Sequence, residues 1–413
     1  MRIIADFHVH SKYARATSPR CDISGLTEGA KVKGISLMGT GDFTHPGYFS
    51  ELRRDLQEDG SGLFSFGGIR FILSTEVSVT YDYRGKNRRM HHVLLAPSLD
   101  IVAQVNERLS HHGNLKEDGR PTLMMSSAAL ADELFSISED IMIIPAHAWT
   151  PWFSVFGSRG GVDSVEEAFE EKARRIYALE TGLSSDPAMN WTVSGLDRFT
   201  LLSNSDAHSP EKLGREANVF ELGEPTYKSV TDAIKSRKGL LKTYEFYPEE
   251  GKYHFDGHRD CKVLLSPAES KAKGNICPVC RKKLTIGVLH RVSDLADRKA
   301  GFRPADAVPF QYIVPLTTVI SKAMKKPETS ALVAEEYSKL IRYFGNEFAV
   351  YEAPEEQLRL ATGKDIADAL VRVNTGKVKW VPGYDGVFGQ LVLDDLQAAR
   401  KAVDRSQKSL ADY

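Results

Sequence analysis

The chain has 413 residues, which is too long for one ordinary hydrophobic core, so two or three domains are expected. With 42% apolar and 26% charged residues and a formal net charge of −1, its composition is that of a globular protein. No apolar run reaches the ~18 residues needed to span a bilayer, and the N-terminal residues show no apolar signal region, so we expect a soluble protein of the cytoplasm or nucleoid with no membrane partner.

The first 245 residues alternate short apolar strands with amphipathic stretches. Strand patterns occupy residues 2–7, 36–39, 69–79, 92–96, 141–145, 178–181 and 200–204. Helical patterns lie between them at residues 24–33, 101–109, 126–136, 164–177 and 225–236. Such alternation favours parallel strands with right-handed crossovers. About seven such units favour an incomplete or distorted α/β barrel over an open sheet.

Beyond residue 245 the pattern changes twice. A polar segment leads into a cysteine-containing module, and helical patterns then follow at residues 293–299, 315–325, 330–344, 355–360 and 366–373. An extended piece at 378–393 precedes a final amphipathic helix at 393–409. We therefore predict three domains, namely residues 1–245, a zinc-binding module at 246–292 and a mainly helical domain at 293–413.

The charge of the chain is unevenly distributed. Residues 252–345 contain 17 Lys and Arg against 9 Asp and Glu, although the whole chain is nearly neutral. An acidic part beside a basic part suits a metal site joined to a surface that binds a polyanion.

Histidines and carboxylates recur at the ends of the predicted strands. The positions are His8, His10, Asp42, His45, Glu76, His91, His92, His147, Asp206 and His208. In barrels, residues from several strand ends converge on one face, where the chemistry takes place. A single histidine of this kind is more often structural, but so many together predict a metal site suited to zinc, manganese or iron.

These motifs resemble the PHP superfamily of phosphoesterases, in which His-x-His follows the first strand and Asp-x-His follows the last. The resemblance implies a distorted seven-stranded barrel that holds two or three divalent cations, with zinc, magnesium and manganese as candidates. One cation would bind His8, His10, Glu76 and Asp206, and Glu76 would bridge to a second at His91 and His147. A third would involve His208 with Asp42 or His45. The residues expected to carry catalysis are His8, Glu76, Asp206 and His208.

Two departures from the superfamily pattern leave alternatives open. Phe43 stands where many members have a histidine after the aspartate, so His45 is the candidate replacement, and the further histidine often found after His-x-His is absent. His92 is an alternative to His91 because adjacent strand residues face opposite ways.

The cysteine module predicts a closed structural zinc site. His258, Cys261, Cys277 and Cys280 have the number and spacing of tetrahedral zinc ligands, with His254 as an alternative to His258. Three cysteines within twenty residues favour a metal over disulfides. The remaining Cys21 reads as an ordinary buried thiol.

Longer motifs are similar to those of the endonuclease Q family. They include Gly-Thr-Gly-Asp-Phe-Thr-His-Pro, Pro-Ala-His-Ala-Trp-Thr-Pro-Trp-Phe and Glu-Thr-Gly-Leu-Ser-Ser-Asp-Pro, and the match covers nearly the whole chain. The resemblance implies a DNA repair endonuclease that nicks on the 5′ side of uracil, hypoxanthine, xanthine or an abasic site and leaves a 3′-hydroxyl.

An enzyme that reads a damaged base is expected to rotate that base out of the duplex. We predict a base pocket beside the metals, lined by Gly182, Ser184, Ser185, Asp186 and Asn190. Trp149, Trp152 and Phe153 are candidates for stacking on neighbouring bases, with core packing as the alternative.

Two other functions remain to be distinguished. A small-molecule phosphomonoesterase of the histidinol-phosphatase type would turn over small phosphates, and a degenerate scaffold would bind DNA without cutting it. The predicted partner is DNA containing damaged bases. We expect a monomer, with replication or repair proteins as further candidate partners.

Overall fold

The computed structural model describes residues 1–393, so most of the helix predicted at 393–409 lies outside the described residues. The described residues form two compact units, one of Met1–Phe246 with Arg291–Gln311 and the other of Tyr247–His290 with residues 312–393. Residues 293–311, which the sequence analysis placed in the C-terminal helical domain, thus group with the first unit. The division into three domains stays a prediction.

The first unit contains twelve short or medium strands within Met1–Phe246. They are β1 Arg2–Asp6, β2 Leu37–Gly39, β3 Gln57–Glu58, β4 Phe64–Phe66, β5 Ile69–Tyr83, β6 Lys86–Ala96, β7 Thr122–Leu123, β8 Met142–Pro145, β9 Ala178–Glu180, β10 Thr200–Leu202, β11 Ala217–Glu221 and β12 Leu240–Glu245. Its helices are α1 Ile23–Lys33, α2 Pro46–Asp55, α3 Leu99–Leu109, α4 Ser127–Ile137, α5 Val165–Phe169, α6 Pro187–Asn190 and α7 Tyr227–Ser236.

Several helix ends follow from local capping chemistry. The side chain of Asp22 accepts a hydrogen bond from Gly25 N at the start of α1, and Gly34 ends this helix with a φ of 92°. At the start of α7, Thr226 and Ser229 form a reciprocal capping box. These local hydrogen bonds and the left-handed Gly34 therefore set where α1 begins and ends and where α7 begins.

The main sheet is mixed. β1 pairs in parallel with β2, and β2 pairs in parallel with β5. β5 and β6, β6 and β8, and β1 and β11 are antiparallel. The predicted parallel pairing is found between β1, β2 and β5, but β5 and β6 are antiparallel because Arg84 and Gly85, both with positive φ, join them in a two-residue hairpin turn.

Further hydrogen bonds extend this sheet towards a ring. Ala148 N donates to Glu180 O and Thr181 N donates to Leu202 O, which link β8 to β9 and β9 to β10. Phe7 N, at the end of β1, donates to Oδ1 of Asn204. The interior is apolar, with Ile3, Ala5, Phe7, Ile72, Val93, Ile144, Leu202 and Phe220 in one buried cluster. The predicted α/β fold with a distorted barrel is confirmed.

The second unit combines the cysteine module with a helical region. Its elements are β13 Asp256–His258, β14 Val263–Leu265, α8 Pro267–Ala272, α10 Leu316–Met324, α11 Ala331–Phe344, α12 Glu347–Glu352, α13 Glu355–Ala361, α14 Lys364–Asn374, β16 Lys379–Val381 and β17 Gln390–Val392. α9 Val288–Leu295 and β15 Phe310–Tyr312 lie at the two changes of unit. Within residues 1–393, no helix has the length and apolar character needed to cross a membrane.

Candidate metal centre

Side chains from five strand regions converge at one end of the first unit. His8 and His10 follow β1, and the intervening Val9 places both imidazoles on the same side of the extended chain. The other members come from β5, β6 and the segments after β8 and β10. The complete set is His8, His10, Glu76, His91, His147 and Asp206.

The first ligand group comprises His8, His10, Glu76 and Asp206, whose ligand atoms all lie within 4.8 Å of one another. Nε2 of His10 is 3.1 Å from Oδ1 of Asp206 and 3.2 Å from Oε2 of Glu76. Nε2 of His8 is 3.5 Å from the same glutamate oxygen. Two imidazoles and two carboxylates therefore face a common point.

The second ligand group comprises Glu76, His91 and His147. Oε1 of Glu76 is 2.7 Å from Nδ1 of His91 and 3.0 Å from Nε2 of His147. The other oxygen of the same carboxylate belongs to the first group. Each oxygen of Glu76 thus faces a different ligand group, so this carboxylate would contribute to both cation sites.

Unsatisfied buried atoms show that these residues fit a metal. Nε2 of His8, Nε2 of His10 and Oδ1 of Asp206 are buried close to one another, yet none of them makes a well-oriented hydrogen bond within residues 1–393. Such groups are costly to leave unpaired in a protein interior. A divalent cation would satisfy all three at once, and the donor set is of the kind that zinc and manganese take.

A shell of polar groups orients the imidazoles. Nδ1 of His8 lies 3.0 Å from each oxygen of Glu180, and Nδ1 of His10 lies 2.9 Å from Oδ1 of Asp42. Nδ1 of His147 lies 3.1 Å from Oγ1 of Thr150. Because a carboxylate beside Nδ1 fixes the proton there, Nε2 of His8 and His10 is left free to bind a metal.

Glu180 was not among the residues predicted for the site. Besides His8, this buried carboxylate accepts hydrogen bonds from His147 N at 2.7 Å and from Nδ2 of Asn204 at 2.9 Å. Glu180 lies at the end of β9 and begins the motif Glu-Thr-Gly-Leu-Ser-Ser-Asp-Pro. A carboxylate at the end of a predicted strand was therefore the sequence signal that could have identified it.

The residues predicted for a third cation do not form a third cluster. Asp42 is occupied with His10 and with the amide and hydroxyl of Ser11, at 2.6 and 2.7 Å. His45 caps α2, its Nδ1 accepting from Tyr48 N, and its ring stacks on Tyr13. His208 is partly exposed, with its ring 4.5 Å from that of His10. In the part of the chain described, only two His/Asp/Glu groups and one cysteine group come together.

His91 and His92 face opposite ways, as alternation along β6 requires. His91 faces Glu76, whereas His92 is buried against Phe169, with its Nε2 2.8 Å from Oγ of Ser127 on α4. Burial lowers the pKa of His92 to about 3, so its imidazole is neutral. The geometry therefore favours His91 as the ligand.

Arg120 contributes a positive charge that the sequence did not reveal. Its guanidinium Nη1 lies 3.0 Å from Oε2 of Glu76, and its side chain is about one quarter exposed. The backbone at Arg120 is held by a hydrogen bond within the same loop, because Arg120 N donates to Oδ1 of Asp118. No motif pattern distinguishes this arginine from the many others in the chain.

Three residues of the centre have left-handed backbone conformations. The φ angles of Asp42, His147 and Asp206 are 44°, 31° and 48°, which non-glycine residues rarely adopt. Such conformations cost energy and occur where the surrounding structure holds a side chain in a required direction. Here they direct the side chain of Asp42 towards His10 and the side chains of two candidate ligands, His147 and Asp206, into the centre.

The buried charged groups of the centre shift one another's pKa values. Burial alone would lower the pKa of His8, but the carboxylates of Glu180 and Glu76 raise it well above its ordinary value. Burial alone would raise the pKa of Glu76, but His91 and Arg120 lower it well below its ordinary value. Burial lowers the pKa of His91 to about 4, which favours the neutral imidazole that binds metals.

The cysteine module brings its four predicted ligands together. His258 ends β13, Cys261 lies in the turn that follows, and Cys277 and Cys280 form a tight loop in which Arg281 N donates to Cys277 O. The four ligand atoms lie within 4.8 Å of one another. His254 is buried elsewhere against Phe255, so the geometry favours His258.

The predicted base pocket divides into a buried and an accessible part. Ser185, Asp186 and Asn190 are buried, the first donating to Thr181 O and the second capping α6. Gly182 has a φ of +62°, and a Cβ there would lie 2.6 Å from Cβ of His147, so the loop passes directly beside the metal ligands. Ser184 remains half-exposed.

The predicted aromatic residues also divide. Trp149 is 1% exposed, packs against Phe156 and donates from Nε1 to Oδ1 of Asn190, so the structure places it in the core and not at the surface. Trp152 is 42% exposed. Phe153 is also exposed and stacks on the ring of His91 with a centroid distance of 4.9 Å.

Comparison with known sequences gives a family match and two relatives. A family model described as PHP-associated matches residues 198–238. The uncharacterized protein YqxK of Bacillus subtilis is 28% identical over 94% of this chain and 99% of its own length. An uncharacterized protein of Methanocaldococcus jannaschii is 31% identical over 59% of this chain, which spans 31% of that protein.

Comparison with solved structures gives matches over nearly the whole chain. The lesion-specific endonuclease PfuEndoQ from Pyrococcus furiosus is 29% identical, with a TM-score of 0.86 over 97% of this chain and 99% of that one. An endonuclease Q bound to a 27-mer duplex with an abasic lesion at its active site is 31% identical. Its TM-score is 0.85, over 96% of this chain and 97% of that one.

Proposed function

From membership of the endonuclease Q family, to which this chain belongs, we propose that it is a metal-dependent DNA repair endonuclease that cuts the phosphodiester on the 5′ side of a damaged base and leaves a 3′-hydroxyl. The proposed substrates are duplexes that contain uracil, hypoxanthine, xanthine or an abasic site. The observation that carries the proposal is the carboxylate of Glu76, whose two oxygens lie 3.2 Å from His10 Nε2 and 2.7 Å from His91 Nδ1.

One carboxylate shared by two ligand groups suits phosphodiester hydrolysis. Two divalent cations held by these residues, for which zinc, magnesium and manganese are the candidates, would supply an activated water and stabilise the leaving oxygen. His8, His10, Glu76 and Asp206 would hold one, and Glu76, His91 and His147 would hold the other. We propose that His258, Cys261, Cys277 and Cys280 bind one structural zinc.

The remaining polar residues have supporting roles in this proposal. Glu180 and Asp42 hold the imidazoles of His8 and His10 in the tautomer that presents Nε2. His208 is partly exposed next to His10, and we assign it the transfer of a proton to the leaving oxygen. Asp42 is hydrogen-bonded to His10 and Ser11, and His45 caps α2. A third cation would therefore need His208 together with ligands other than these two residues.

We propose that the damaged base enters a pocket beside His147. The half-exposed side chain of Ser184 would line its accessible part, while the buried Gly182 passes beside His147 and Ser185, Asp186 and Asn190 hold the loop from behind. Phe153, which stacks on His91, and its exposed neighbour in sequence, Trp152, would contact bases next to the flipped one. Flipping costs least where pairing is already weak, which favours damaged sites over intact ones.

The proposal is tested by cleavage of 5′-labelled duplexes that carry uracil, hypoxanthine or an abasic site, with and without a chelator. We expect a nick on the 5′ side of each lesion, no nick in the chelated sample, and no nick by the Asp206→Asn variant. Cleavage of an undamaged duplex at an equal rate, or release of phosphate from small monoesters alone, would overturn the repair assignment.

The pocket is tested separately by the Ser184→Tyr variant. A bulky side chain there is expected to abolish nicking at uracil while leaving the metal content and the affinity for undamaged duplex unchanged. The matched control is Ser136→Tyr, because Ser136 is an exposed serine on α4. If Ser184→Tyr still nicks at uracil, the pocket lies elsewhere.

A further inference from the structure

His91 differs from the other candidate ligands in what holds its imidazole. Each of the other three imidazoles places its second ring nitrogen between 2.9 and 3.1 Å from a side-chain oxygen of a neighbouring residue. His91 directs Nδ1 at Oε1 of Glu76, 2.7 Å away, and its Nε2 has no hydrogen-bond partner among residues 1–393. The orientation of this ring therefore depends on contacts of another kind.

The side chain of Phe153 makes such a contact. Its ring stacks on the imidazole of His91, with the centroids 4.9 Å apart and the planes inclined by 26°. Stacked aromatic rings attract one another by more than their buried area alone would give. Because the phenyl ring lies against one face of the imidazole, it restricts rotation of that imidazole about χ2.

The backbone around Phe153 binds the same histidine. His91 N donates to Phe153 O at 3.0 Å, and Ala146 N donates to His91 O at 3.0 Å. Both backbone polar groups of His91 are therefore bound by the segment 146–153. The same segment carries His147, the other imidazole of the second ligand group. One segment thus supplies one candidate ligand and fixes the backbone of the other.

The conformation of Phe153 is costly in energy. Its φ is +61°, in the left-handed region that a bulky residue rarely adopts. Such a conformation persists where the surrounding structure requires a side chain or carbonyl to point in a particular direction. Here it accompanies a carbonyl bound to His91 N and a ring stacked on the imidazole of the same residue.

We propose that Phe153 is a positioning residue of the second cation site. Its ring and its carbonyl hold His91 in the orientation that presents Nδ1 beside Glu76. Phe153 acts through His91 and is not itself a ligand, and this role is additional to the contact with bases proposed for the same ring. The inference rests on the proposed function, because it takes a cation to bind at Glu76, His91 and His147.

The experiment measures Mn²⁺ binding to the full chain by isothermal titration calorimetry, without DNA. A chelator first empties the His/Asp/Glu groups, and elemental analysis checks that zinc stays in the cysteine module. Wild type is expected to bind two Mn²⁺, one in each ligand group. Phe153→Ala should weaken one of the two binding steps by about 3–10-fold, which is what one aromatic pair contributes, and leave the other step unchanged.

Further variants separate the ring from the fold. Phe153→Tyr keeps the ring and should bind both Mn²⁺ as wild type does. Phe153→Leu keeps an apolar side chain without the ring, so it should show the same single weakened step as Phe153→Ala. The matched control is Tyr177→Ala, because Tyr177 has the same 36% exposure as Phe153 and its ring contacts Lys235. This control should bind Mn²⁺ as wild type does.

Nicking of a uracil duplex gives a second measurement. The kcat of Phe153→Ala should rise towards the wild-type value as the Mn²⁺ concentration is raised above the weakened affinity. A ring that contacted only the bases would leave the loss of kcat independent of Mn²⁺, and that result would contradict the positioning role.

The outcomes distinguish this inference from the proposed function. Equal Mn²⁺ affinities in Phe153→Ala and wild type, an equal loss in Tyr177→Ala, or loss of both steps in the alanine and leucine variants would overturn the positioning role even if the enzyme nicks damaged DNA. Binding of a single Mn²⁺ by wild type would overturn it as well. Failure of wild type to nick any damaged duplex while both Mn²⁺ bind would instead overturn the proposed function.

Discussion

Glu180 shows how a residue outside the ligand groups controls the metal centre. Its two oxygens lie 3.0 Å from Nδ1 of His8, and it also accepts from the backbone of His147, so one carboxylate touches a member of each group. At the scale of single residues, the position of each candidate ligand therefore depends on the groups that fix the tautomer and direction of its imidazole.

Replacing this orienting carboxylate should weaken metal binding without abolishing it. We expect Glu180→Gln to lower metal affinity by about 10–100-fold, because the amide no longer favours the Nδ1-protonated imidazole of His8. Titration with metal, followed by nicking of a uracil duplex, measures the effect, and excess metal should restore most of the activity. An affinity equal to that of wild type would contradict the orienting role.

Arg120 gives a second prediction at the residue scale. With Glu76 bound to cations, its guanidinium is available for an oxygen of the scissile phosphate, which arginine binds in a planar, two-bonded geometry. Arg120→Met should lower kcat for nicking by about 100-fold. Arg120→Lys should recover little of this loss, because lysine lacks the planar fork.

The control for Arg120 is the metal content of the variants. Because Arg120 contacts the oxygen of Glu76 and is not itself a ligand, elemental analysis should find wild-type stoichiometry in Arg120→Met. Loss of metal in that variant would mean that Arg120 positions Glu76 and does not act on the substrate.

At the scale of elements, the sequence predicted strands and helices well where their patterns were regular. All seven predicted strands are present. The candidate ligands lie in or next to them because the sequence shows His, Asp and Glu residues where the apolar runs end. Antiparallel β11 and β12 were missed, and so was α2, whose sequence Pro46–Asp55 is mostly polar. The helix predicted at 164–177 is short, since α5 ends at Phe169 and a tighter turn follows.

The parts of the site that sequence could not predict depend on long-range packing. Whether Asp42 binds a metal or orients His10 depends on distances of a few ångströms between segments about thirty residues apart. Trp149 is indistinguishable from Trp152 in sequence, yet one is in the core and the other is exposed. The recognition of the endonuclease Q family from motifs is confirmed, because such motifs are local.

β11 and β12 also account for a pH-dependent stability. Glu216 before β11 and Glu245 at the end of β12 are fully buried, and burial raises the pKa of Glu245 from 4.5 to about 8. A carboxyl whose folded pKa is raised stabilises the fold fully below its unfolded pKa, and this contribution is lost as pH rises through the folded pKa. Stability should therefore decrease between about pH 4.5 and pH 8.

The Glu245→Gln variant should remove this part of the pH dependence. In urea denaturation at saturating metal, the wild-type free energy of unfolding is expected to fall by at most about 1.4 kcal/mol per pH unit from this group, and the variant should be flatter. Glu221→Gln, at an exposed position on β11, is the matched control and should follow wild type. A variant with the full wild-type slope would contradict the assignment.

At the scale of the whole molecule, the two kinds of metal site differ in what they do for the chain. The His/Asp/Glu groups lie in a barrel with its own apolar core. In the described part of the chain, the cluster around Cys277 contains two other buried apolar residues, Val263 and Leu284, with Cys261, Leu265 and Cys280 packed against it. A core this small cannot offset the entropy of ordering the module, so a structural zinc should supply much of its folding free energy.

Removal of one cysteine ligand should therefore unfold the module and spare the barrel. We expect Cys261→Ser to lose one equivalent of zinc by elemental analysis and to show fast hydrogen exchange across β13 and β14, with protection of β1 and β5 unchanged. Cys21→Ala is the matched control, because Cys21 is a free thiol buried in the first unit and is not one of the four candidate zinc ligands. It should keep full zinc content and wild-type exchange in the module. Equal zinc content in both variants would show that the cysteine group binds no metal, and loss of protection in β1 and β5 of Cys261→Ser would show that the zinc stabilises the barrel as well as the module.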